Sequence, residues 1–152
     1  MVRKKVTKKR ISTRNLEVRT DVALIVMKEY RVLLGEKRKT HHEESVWDLP
    51  GGRRKDYETF KECGLRETYE ETGLRVKLID DHPWAETENY FATGKKEDTL
   101  IYRAEPINDN EPKTKEKDKF HQWAYFPWDK LPNNISLCLK NLKKQGYDPF
   151  KK

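Results

Sequence analysis

Three glutamates near the middle of the chain are spaced so that their carboxylates can share one face of a helix. Glu67 and Glu71 are one helical turn apart, and Glu70 lies three residues after Glu67. Like charges at these spacings repel one another unless cations lie between them, and hard divalent cations such as magnesium prefer oxygen ligands. The cluster therefore suits cleavage of a diphosphate, because metal ions neutralise phosphate charge and activate water. Taken alone, the three residues would indicate only a solvated helix face.

The residues that flank this cluster favour a metal site. Gly51 and Gly52 stand just before the predicted helix, where they permit a tight turn whose backbone can approach a ligand. Arg66 can neutralise and orient part of the cluster, and Gly73 stands where a left-handed C-terminal cap belongs. A spare carboxylate can accept the proton of an attacking water. The segment 52–74 is therefore the candidate catalytic site.

The complete spacing resembles the Nudix box, which runs Gly, five residues, Glu, seven residues, then Arg-Glu-apolar-any-Glu-Glu-any-Gly-apolar. The matching residues here are Gly52, Glu58, Arg66, Glu67, Glu70, Glu71, Gly73 and Leu74. The single departure is Thr68, which stands at an apolar position of the box. The resemblance implies a Nudix-type α/β/α sandwich with a central mixed β-sheet, and a catalytic Mg²⁺ that Mn²⁺ can replace.

The resemblance also implies a role for each residue of the box. The implied metal ligands all offer an oxygen: Glu67 and Glu71 first, then Glu70 and the Gly51 carbonyl. Arg66 is implied to hold the glutamates in place, and Glu58 to support the loop or a second metal. Nudix enzymes differ in their general base, and Glu70 is one candidate for it here. The backbone at Gly52 is an expected substrate contact.

Segments outside the box are similar to MutT-like nucleotide triphosphate diphosphatases, especially the eukaryotic type that ends in Gln-Gly-Tyr-Asp-Pro-Phe, residues 145–150 here. This likeness covers residues 20–150. It implies hydrolysis of nucleoside triphosphates, including damaged or modified ones, to the monophosphate and pyrophosphate. It also implies an extra catalytic and metal-binding carboxylate outside the box. Glu116 is the best positional match and Asp118 the second, although an exposed loop acid is an equally good interpretation of either residue.

The likeness places part of a nucleobase wall at the start of the last helix, at Leu137, Cys138 and Leu139. The preceding loop is short, and Leu137 stands where a tryptophan can occur, so base preference stays open. Three tryptophans could stack on a base, but core packing is the better interpretation of each: Trp47, Trp123 and Trp128. Cys63 and Cys138 lack the close spacing of a zinc site and indicate reduced thiols.

Several alternatives remain open at this point. The substrate could be another diphosphate: a nucleotide sugar, a dinucleoside polyphosphate, an RNA 5′ end or a prenyl diphosphate. A non-catalytic Nudix-fold binding module ranks low, because every metal-binding glutamate of the box is present. Relatives of this type often dimerise, so a homodimer is a further expectation.

The net charge of +7 is concentrated at the N-terminus. The first sixteen residues contain no acid and seven basic residues: Arg3, Lys4, Lys5, Lys8, Lys9, Arg10 and Arg14. We expect residues 1–16 to form a basic disordered tail and residues 17–152 to form one Nudix hydrolase domain. Nucleic-acid contact and nuclear import are the other interpretations of the tail. No apolar stretch indicates a membrane span or secretion signal, so we expect a cytoplasmic protein.

Secondary structure that could position these residues follows from apolar patterning and turn residues. The predicted strands are rich in β-branched and aromatic residues: 21–27, 31–35, 46–49, 74–79, 84–92, 99–104 and 123–126. Helices are predicted over 57–72 and 136–145, with Gly73 and Gly146 at their ends. The charged segment 108–119 is predicted to be an exposed loop. Strands with irregularly interspersed helices favour a mixed-sheet sandwich over a regular doubly wound fold.

Overall fold

The computed structural model describes residues 18–38 and 44–151. The predicted basic tail therefore lies outside the described residues. Within these ranges the strands are β1 Val18–Lys28, β2 Arg31–Lys37, β3 Val46–Asp48, β4 Gly51–Arg53, β5 Val76–Leu78, β6 Ala85–Tyr90, β7 Lys96–Pro106 and β8 Phe120–Pro127. The helices are α1 Phe60–Thr72 and α2 Leu137–Lys144, with one 3₁₀ turn over Trp128–Lys130. None of the helices in these ranges has the length and apolar character needed to cross a membrane.

Strand β1 is the centre of the mixed sheet that was predicted. It pairs in parallel with β7 from Val18 to Val26, and antiparallel with both β2 and β4. Strands β5 and β6 extend the sheet beyond β7, whereas β3 and β8 flank β2. Because successive side chains of a strand point to opposite faces, β1 contributes apolar residues to both sides of the sheet.

The two faces of the sheet carry separate apolar cores, as an α/β/α sandwich requires. Val22, Leu24 and Val26 belong to the core under α1, which also contains Cys63 of that helix. The intervening residues of β1 face the other core, where Leu139 and Leu142 of α2 are fully buried. The predicted fold class is confirmed by this arrangement. Trp123 and Trp128 are buried in these cores and Trp47 packs against the second, so core packing is the better description of all three.

Helix α1 begins three residues later than predicted, because Thr59 forms its N-cap. The Thr59 hydroxyl accepts a hydrogen bond from the Glu62 N–H, and the Glu62 carboxylate accepts one from the Thr59 N–H, which completes a capping box. Gly73 ends the helix in the left-handed region, with φ of 74°, as predicted. Glu67, Glu70 and Glu71 therefore lie in the last two turns of a helix that is fixed at both ends.

Small residues let α1 approach β1 closely. A Cβ built on Gly64 would lie 2.7 Å from the Leu24 side chain, so a larger residue would push the helix off the sheet. The sequence predicts a modest apolar face of Phe60, Cys63, Leu65 and Thr68, of which Cys63 and Thr68 are buried whereas Phe60 and Leu65 are each 36% exposed. The short strand β4 was not predicted, because Pro50 and the glycines after it indicate the end of the preceding strand.

The hairpin between β1 and β2 is closed by two residues with positive φ, Glu29 at 51° and Tyr30 at 62°. Pairing of Lys28 with Arg31 makes this a two-residue loop, and positive φ at both positions is typical of a type I′ turn. Asparagine and glycine tolerate this region, whereas other side chains are strained there.

We expect Glu29→Asn to raise the free energy of unfolding by roughly 0.5–1 kcal/mol, because asparagine tolerates the left-handed region better than glutamate. Urea unfolding followed by circular dichroism measures the effect. Glu86→Asn, at an exposed position of β6, is the matched control and should be neutral or slightly destabilising. A loss of stability in Glu29→Asn would contradict the turn assignment.

Candidate active site

The carboxylate of Glu71 is the most buried of the box glutamates, with a residue exposure of 1%. Its Oε1 accepts a hydrogen bond from the Gly51 N–H at 3.1 Å, and its Oε2 lies 3.4 Å from the Lys119 ammonium. Burial raises the pKa of Glu71 to about 8, although Lys119 and the Gly51 N–H act in the opposite direction. Helix α1 and strand β4 are thus joined through a carboxylate that lies within the protein.

Glu67 packs directly against the backbone of Gly52. A Cβ built on Gly52 would lie 2.3 Å from Glu67 Oε2, so no side chain can occupy this position while Glu67 keeps its place. Burial raises the pKa of Glu67, and the Arg66 guanidinium acts against that effect. Gly51 is equally restricted, since its Cβ would lie 2.2 Å from the Val22 carbonyl oxygen of β1. Gly51 is therefore restricted by the backbone of β1, and Gly52 by a side chain of the candidate site.

Arg66 connects the loop before α1 to the glutamates of the helix. Its guanidinium binds Glu58 through two hydrogen bonds, from Nε at 2.9 Å and from Nη2 at 2.7 Å. Its Nη1 lies 3.0 Å from Glu70 Oε1 and 3.4 Å from Glu67 Oε2. A planar guanidinium matches carboxylate geometry in this way and remains charged. Arg66 therefore occupies the position that the predicted orienting role requires.

The bond from Arg66 holds the pKa of Glu58 at about 2, well below its ordinary value of 4.5. The Glu58 side chain is only 6% exposed, so solvent screens the pair weakly. Because the folded-state pKa is depressed, the pair stabilises the protein above the unfolded-state value of 4.5. That stabilisation is lost as the pH falls from 4.5 towards 2.

We expect Glu58→Gln to lower the free energy of unfolding by roughly 2 kcal/mol at pH 7, because the partly buried Arg66 guanidinium loses its charged partner. The difference from wild type should shrink steadily as the pH falls from 4.5 towards 2. Urea unfolding at several pH values measures it, with Glu105→Gln, at an exposed position of β7, as the control. A stability difference that does not change with pH would contradict the depressed pKa.

The loop before β8 runs along the C-terminal end of α1. The Lys113 N–H donates to the Thr72 carbonyl at 2.8 Å, and the Lys115 N–H donates to the Glu71 carbonyl at 3.3 Å. This path brings Glu116 to the site, where its Oε1 lies 3.4 Å from the same Lys119 ammonium that contacts Glu71. Glu116 therefore approaches the box, whereas Asp118 is exposed to solvent.

A cavity of about 590 Å³ lies beside this carboxylate cluster and reaches the start of α2. Its lining includes Gly51, Gly52 and Lys119, which adjoin Glu67 and Glu71, and also Leu137 and Cys138, whereas the glutamates of the box are not part of the lining. The predicted substrate residues Gly52, Leu137 and Cys138 therefore share one cavity. Leu139 does not line it, because its side chain is fully buried in the core under α2.

The Cys138 thiol lines the cavity as a neutral group and is not activated as a nucleophile. Burial raises the pKa of its thiol to about 12, and the nearby Asp48 charge acts in the same direction. The Thr87 hydroxyl donates to its Sγ at 3.5 Å. Both cysteines of the chain are free and buried, in agreement with the sequence prediction of reduced thiols.

Polar residues that sequence reasoning missed also line the cavity, namely Asp48, Asn89 and Thr99. Asn89 is 3% exposed, and its amide donates to Thr99 Oγ1 at 3.1 Å while accepting from Asn141 at 2.8 Å. Burial raises the pKa of the Asp48 carboxyl. Buried polar residues at alternate positions of predicted strands were the available signal, because such positions normally hold apolar side chains.

The donor set of the cluster fits a hard divalent cation. Glu67, Glu71 and Glu116 supply carboxylate oxygens beside a backbone turn, and charge interactions couple all three. Within residues 18–38 and 44–151, no three acidic, histidine or cysteine side chains surround a single point. Glu71 and Glu116 instead both contact the Lys119 ammonium, so the space between these two carboxylates accommodates a positive charge. The sequence prediction that the Gly51 carbonyl binds metal stays a prediction, since the contact seen at Gly51 is through its N–H.

Comparisons with known proteins agree with this geometry. The profile of the NUDIX domain matches residues 17–146. The putative 8-oxo-dGTP diphosphatase YtkD of Bacillus subtilis is 29% identical over 123 residues, which cover 71% of this chain and 73% of that protein. Nudix hydrolase 6 of Arabidopsis thaliana is 27% identical over 117 residues, which cover 70% of this chain but only 41% of that relative.

A solved structure supports the fold. The crystal structure of a MutT NUDIX hydrolase from Burkholderia pseudomallei superimposes with a TM-score of 0.72 and 23% identity, covering 86% of this chain and 98% of that one. At this identity the likeness concerns the fold alone. The profile match, however, spans most of the sequence and contains the complete box from Gly52 to Leu74. The chain therefore belongs to the NUDIX domain family.

Proposed function

We propose that this protein is a magnesium-dependent hydrolase of nucleoside triphosphates, including damaged or modified ones, and that it releases the monophosphate and pyrophosphate. The observation that carries the proposal is the buried Glu71 carboxylate, which accepts a hydrogen bond from the N–H of Gly51, a residue that lines a cavity of about 590 Å³. A cavity of this size is in the range that accommodates a nucleotide. We assign the phosphate chain to the part lined by Gly51, Gly52 and Lys119, next to the glutamates, and the base to the part lined by Leu137 and Cys138.

The proposed metal ligands are the carboxylates of the cluster and one backbone oxygen: Glu67, Glu70, Glu71, Glu116 and the Gly51 carbonyl. When bound, Mg²⁺ or Mn²⁺ supplies positive charge that neutralises the diphosphate oxygens and acidifies a water molecule. Arg66 positions this set, because it bonds to Glu58 on one side and to the helix glutamates on the other.

Glu70 is our candidate for the residue that accepts the proton from the attacking water. Its side chain is 42% exposed, compared with 14% for Glu67 and 1% for Glu71, so it can contact water freely. The pairing of its Oε1 with Arg66 at 3.0 Å keeps the carboxylate at the edge of the cluster. A general base must be within hydrogen-bond reach of the proton that it abstracts, which this location permits.

Two likenesses favour nucleotides as the substrate class. The Bacillus relative is named as a putative 8-oxo-dGTP diphosphatase, and residues 145–150 resemble the ending of eukaryotic MutT-like enzymes. That ending has a structural position here, since the Trp128 indole N–H donates to the Tyr147 carbonyl at 3.1 Å and Tyr147 packs against Trp84. Residues 145–150 therefore support a relationship to those enzymes and not a contact with the base. A homodimer and a nucleic-acid contact through residues 1–16 stay predictions of the sequence.

A substrate panel with magnesium tests the proposal, with pyrophosphate and orthophosphate release measured separately. Ordinary and oxidised nucleoside triphosphates should release pyrophosphate, and EDTA should stop the reaction. The remaining arms of the panel are a nucleotide sugar, a dinucleoside polyphosphate, a 5′-triphosphorylated RNA and a prenyl diphosphate. Activity confined to any of these, or orthophosphate as the first product from triphosphates, would overturn the proposed substrate class.

A further inference from the structure

Lys119 lies between two carboxylates that we assign to the metal site. Its Nζ is 3.4 Å from Glu71 Oε2 and 3.4 Å from Glu116 Oε1. The Lys119 side chain is 46% exposed, whereas that of Glu71 is 1% exposed. A cation that reaches in from the solvent side thus compensates a carboxylate buried in the protein, where an unpaired charge would be strongly unfavourable.

The backbone of Lys119 is fixed while its side chain is long and flexible. The Lys119 N–H donates to the Glu116 carbonyl at 3.0 Å, and the Lys119 carbonyl accepts from the Arg38 N–H at 2.8 Å. The ammonium stands on a four-carbon stem and can change direction without any movement of the chain. Burial alone would lower the pKa of Lys119, but the charges of Glu71, Glu116 and Glu67 outweigh it and raise that pKa.

A divalent metal and the Lys119 ammonium compete for the same oxygens. Positive charges within a few ångströms of each other repel strongly where solvent is partly excluded, so both cannot occupy the space between Glu71 and Glu116. Lys119 also lines the cavity together with Gly51 and Gly52. An ammonium displaced from the carboxylates therefore stays beside the space that we assign to the phosphate chain, where its charge attracts phosphate oxygens.

We propose that Lys119 is a built-in counter-cation, which neutralises the metal-free carboxylate site and is displaced by the metal towards the phosphates of the substrate. This inference rests on the metal site of the proposed function. It makes Lys119 a residue that opposes metal binding in the absence of substrate and favours the phosphate chain once metal is bound. An ordinary exposed lysine would do neither.

The first part of the proposal, that Lys119 opposes metal binding, is tested by Mn²⁺ titration without substrate, measured by electron paramagnetic resonance at pH 8.5. Lys119→Met should bind Mn²⁺ roughly tenfold more tightly than wild type, because the metal no longer displaces a charge-assisted contact. The matched control is Lys115→Met, which removes a cation from the same loop. The Lys115 ammonium lies over the Tyr69 ring, 4.6 Å from its centroid, so this change should alter the Mn²⁺ affinity by less than about twofold. Lys119→Gln is measured alongside in case methionine prevents folding.

The second part, that Lys119 favours binding of the phosphate chain once metal is bound, is tested with saturating Mn²⁺ and a non-hydrolysable nucleoside triphosphate analogue. Here Lys119→Met should bind the analogue several-fold more weakly than wild type, and Lys115→Met should not. Tighter Mn²⁺ binding together with weaker analogue binding supports the inference. Unchanged or weaker Mn²⁺ binding in both Lys119 variants, with normal binding in wild type, overturns this inference alone. Absence of Mn²⁺ binding in wild type overturns the metal site as well, whereas the expected Mn²⁺ result without triphosphate turnover overturns only the proposed substrate.

Discussion

Glu71→Gln should lower magnesium-dependent kcat/KM by at least roughly 10³-fold while the protein stays folded. Glutamine has the shape of glutamate, and its side-chain oxygen can still accept the hydrogen bond from the Gly51 N–H. Burial penalises the charge of Glu71 and raises its pKa to about 8, which offsets much of what its contact with Lys119 contributes to stability. Loss of the charge should therefore shift the thermal midpoint of the metal-free protein by less than about 3 °C.

The measurement compares turnover, Mn²⁺ affinity and the unfolding midpoint of the same preparations. Glu62→Gln is a matched control in α1, since glutamine can also complete the capping box with Thr59. This control should retain wild-type turnover and stability. Turnover near the wild-type level in Glu71→Gln would refute the role that we assign to the buried carboxylate, whatever happens to Mn²⁺ binding.

The second large effect is expected at Gly52, where alanine should reduce kcat/KM by roughly 10²-fold, since displacement of a catalytic group by about 1 Å has that consequence. The new Cβ would lie 2.3 Å from Glu67 Oε2, and the end of a flexible side chain can move aside. Glu67 would leave its position while the fold persists. The free energy of unfolding should therefore change by less than about 1 kcal/mol.

Gly51→Ala offers a sharp contrast one residue earlier in the same strand. Its Cβ would lie 2.2 Å from the Val22 carbonyl oxygen, and the backbone of the central strand cannot move away easily. This variant should lose about 3 kcal/mol or more of stability, as overpacking against a rigid neighbour does. Urea unfolding and steady-state kinetics on both variants separate the two effects. Equal stability losses in the two proteins would contradict the different roles of these glycines.

The sequence predicted the helix that carries Glu67, Glu70 and Glu71 because its signals are local. Its apolar pattern and its terminal glycine, Gly73, both lie within the segment, and the spacing of the box extends across it. The fold class was predicted from the resemblance to the Nudix family, which covers most of the chain. The central strand was predicted from its apolar run, and the structure extends it by a few residues at its N-terminal end.

Features that depend on contacts distant in sequence could not be predicted. Strand β4 contains two glycines, pairs with β1, and packs closely against the Val22 backbone at Gly51. The pairing of Lys119 with Glu71 joins residues that are 48 positions apart, and no sequence pattern indicates it. Leu139 was placed in a base wall by likeness, but helical geometry turns it into the core next to Leu142.

The two hydrogen bonds from the Lys113 and Lys115 amides to the end of α1 have a consequence for the entropy of binding. A loop that must become ordered when its ligand arrives loses conformational freedom at that moment, at about 1–2 kcal/mol for each backbone residue. Here the backbone that presents Glu116 is ordered already, by carbonyl groups that would otherwise lack a helical partner. Folding, rather than substrate binding, therefore bears that entropy loss, and the loop requires no closing motion before it can act.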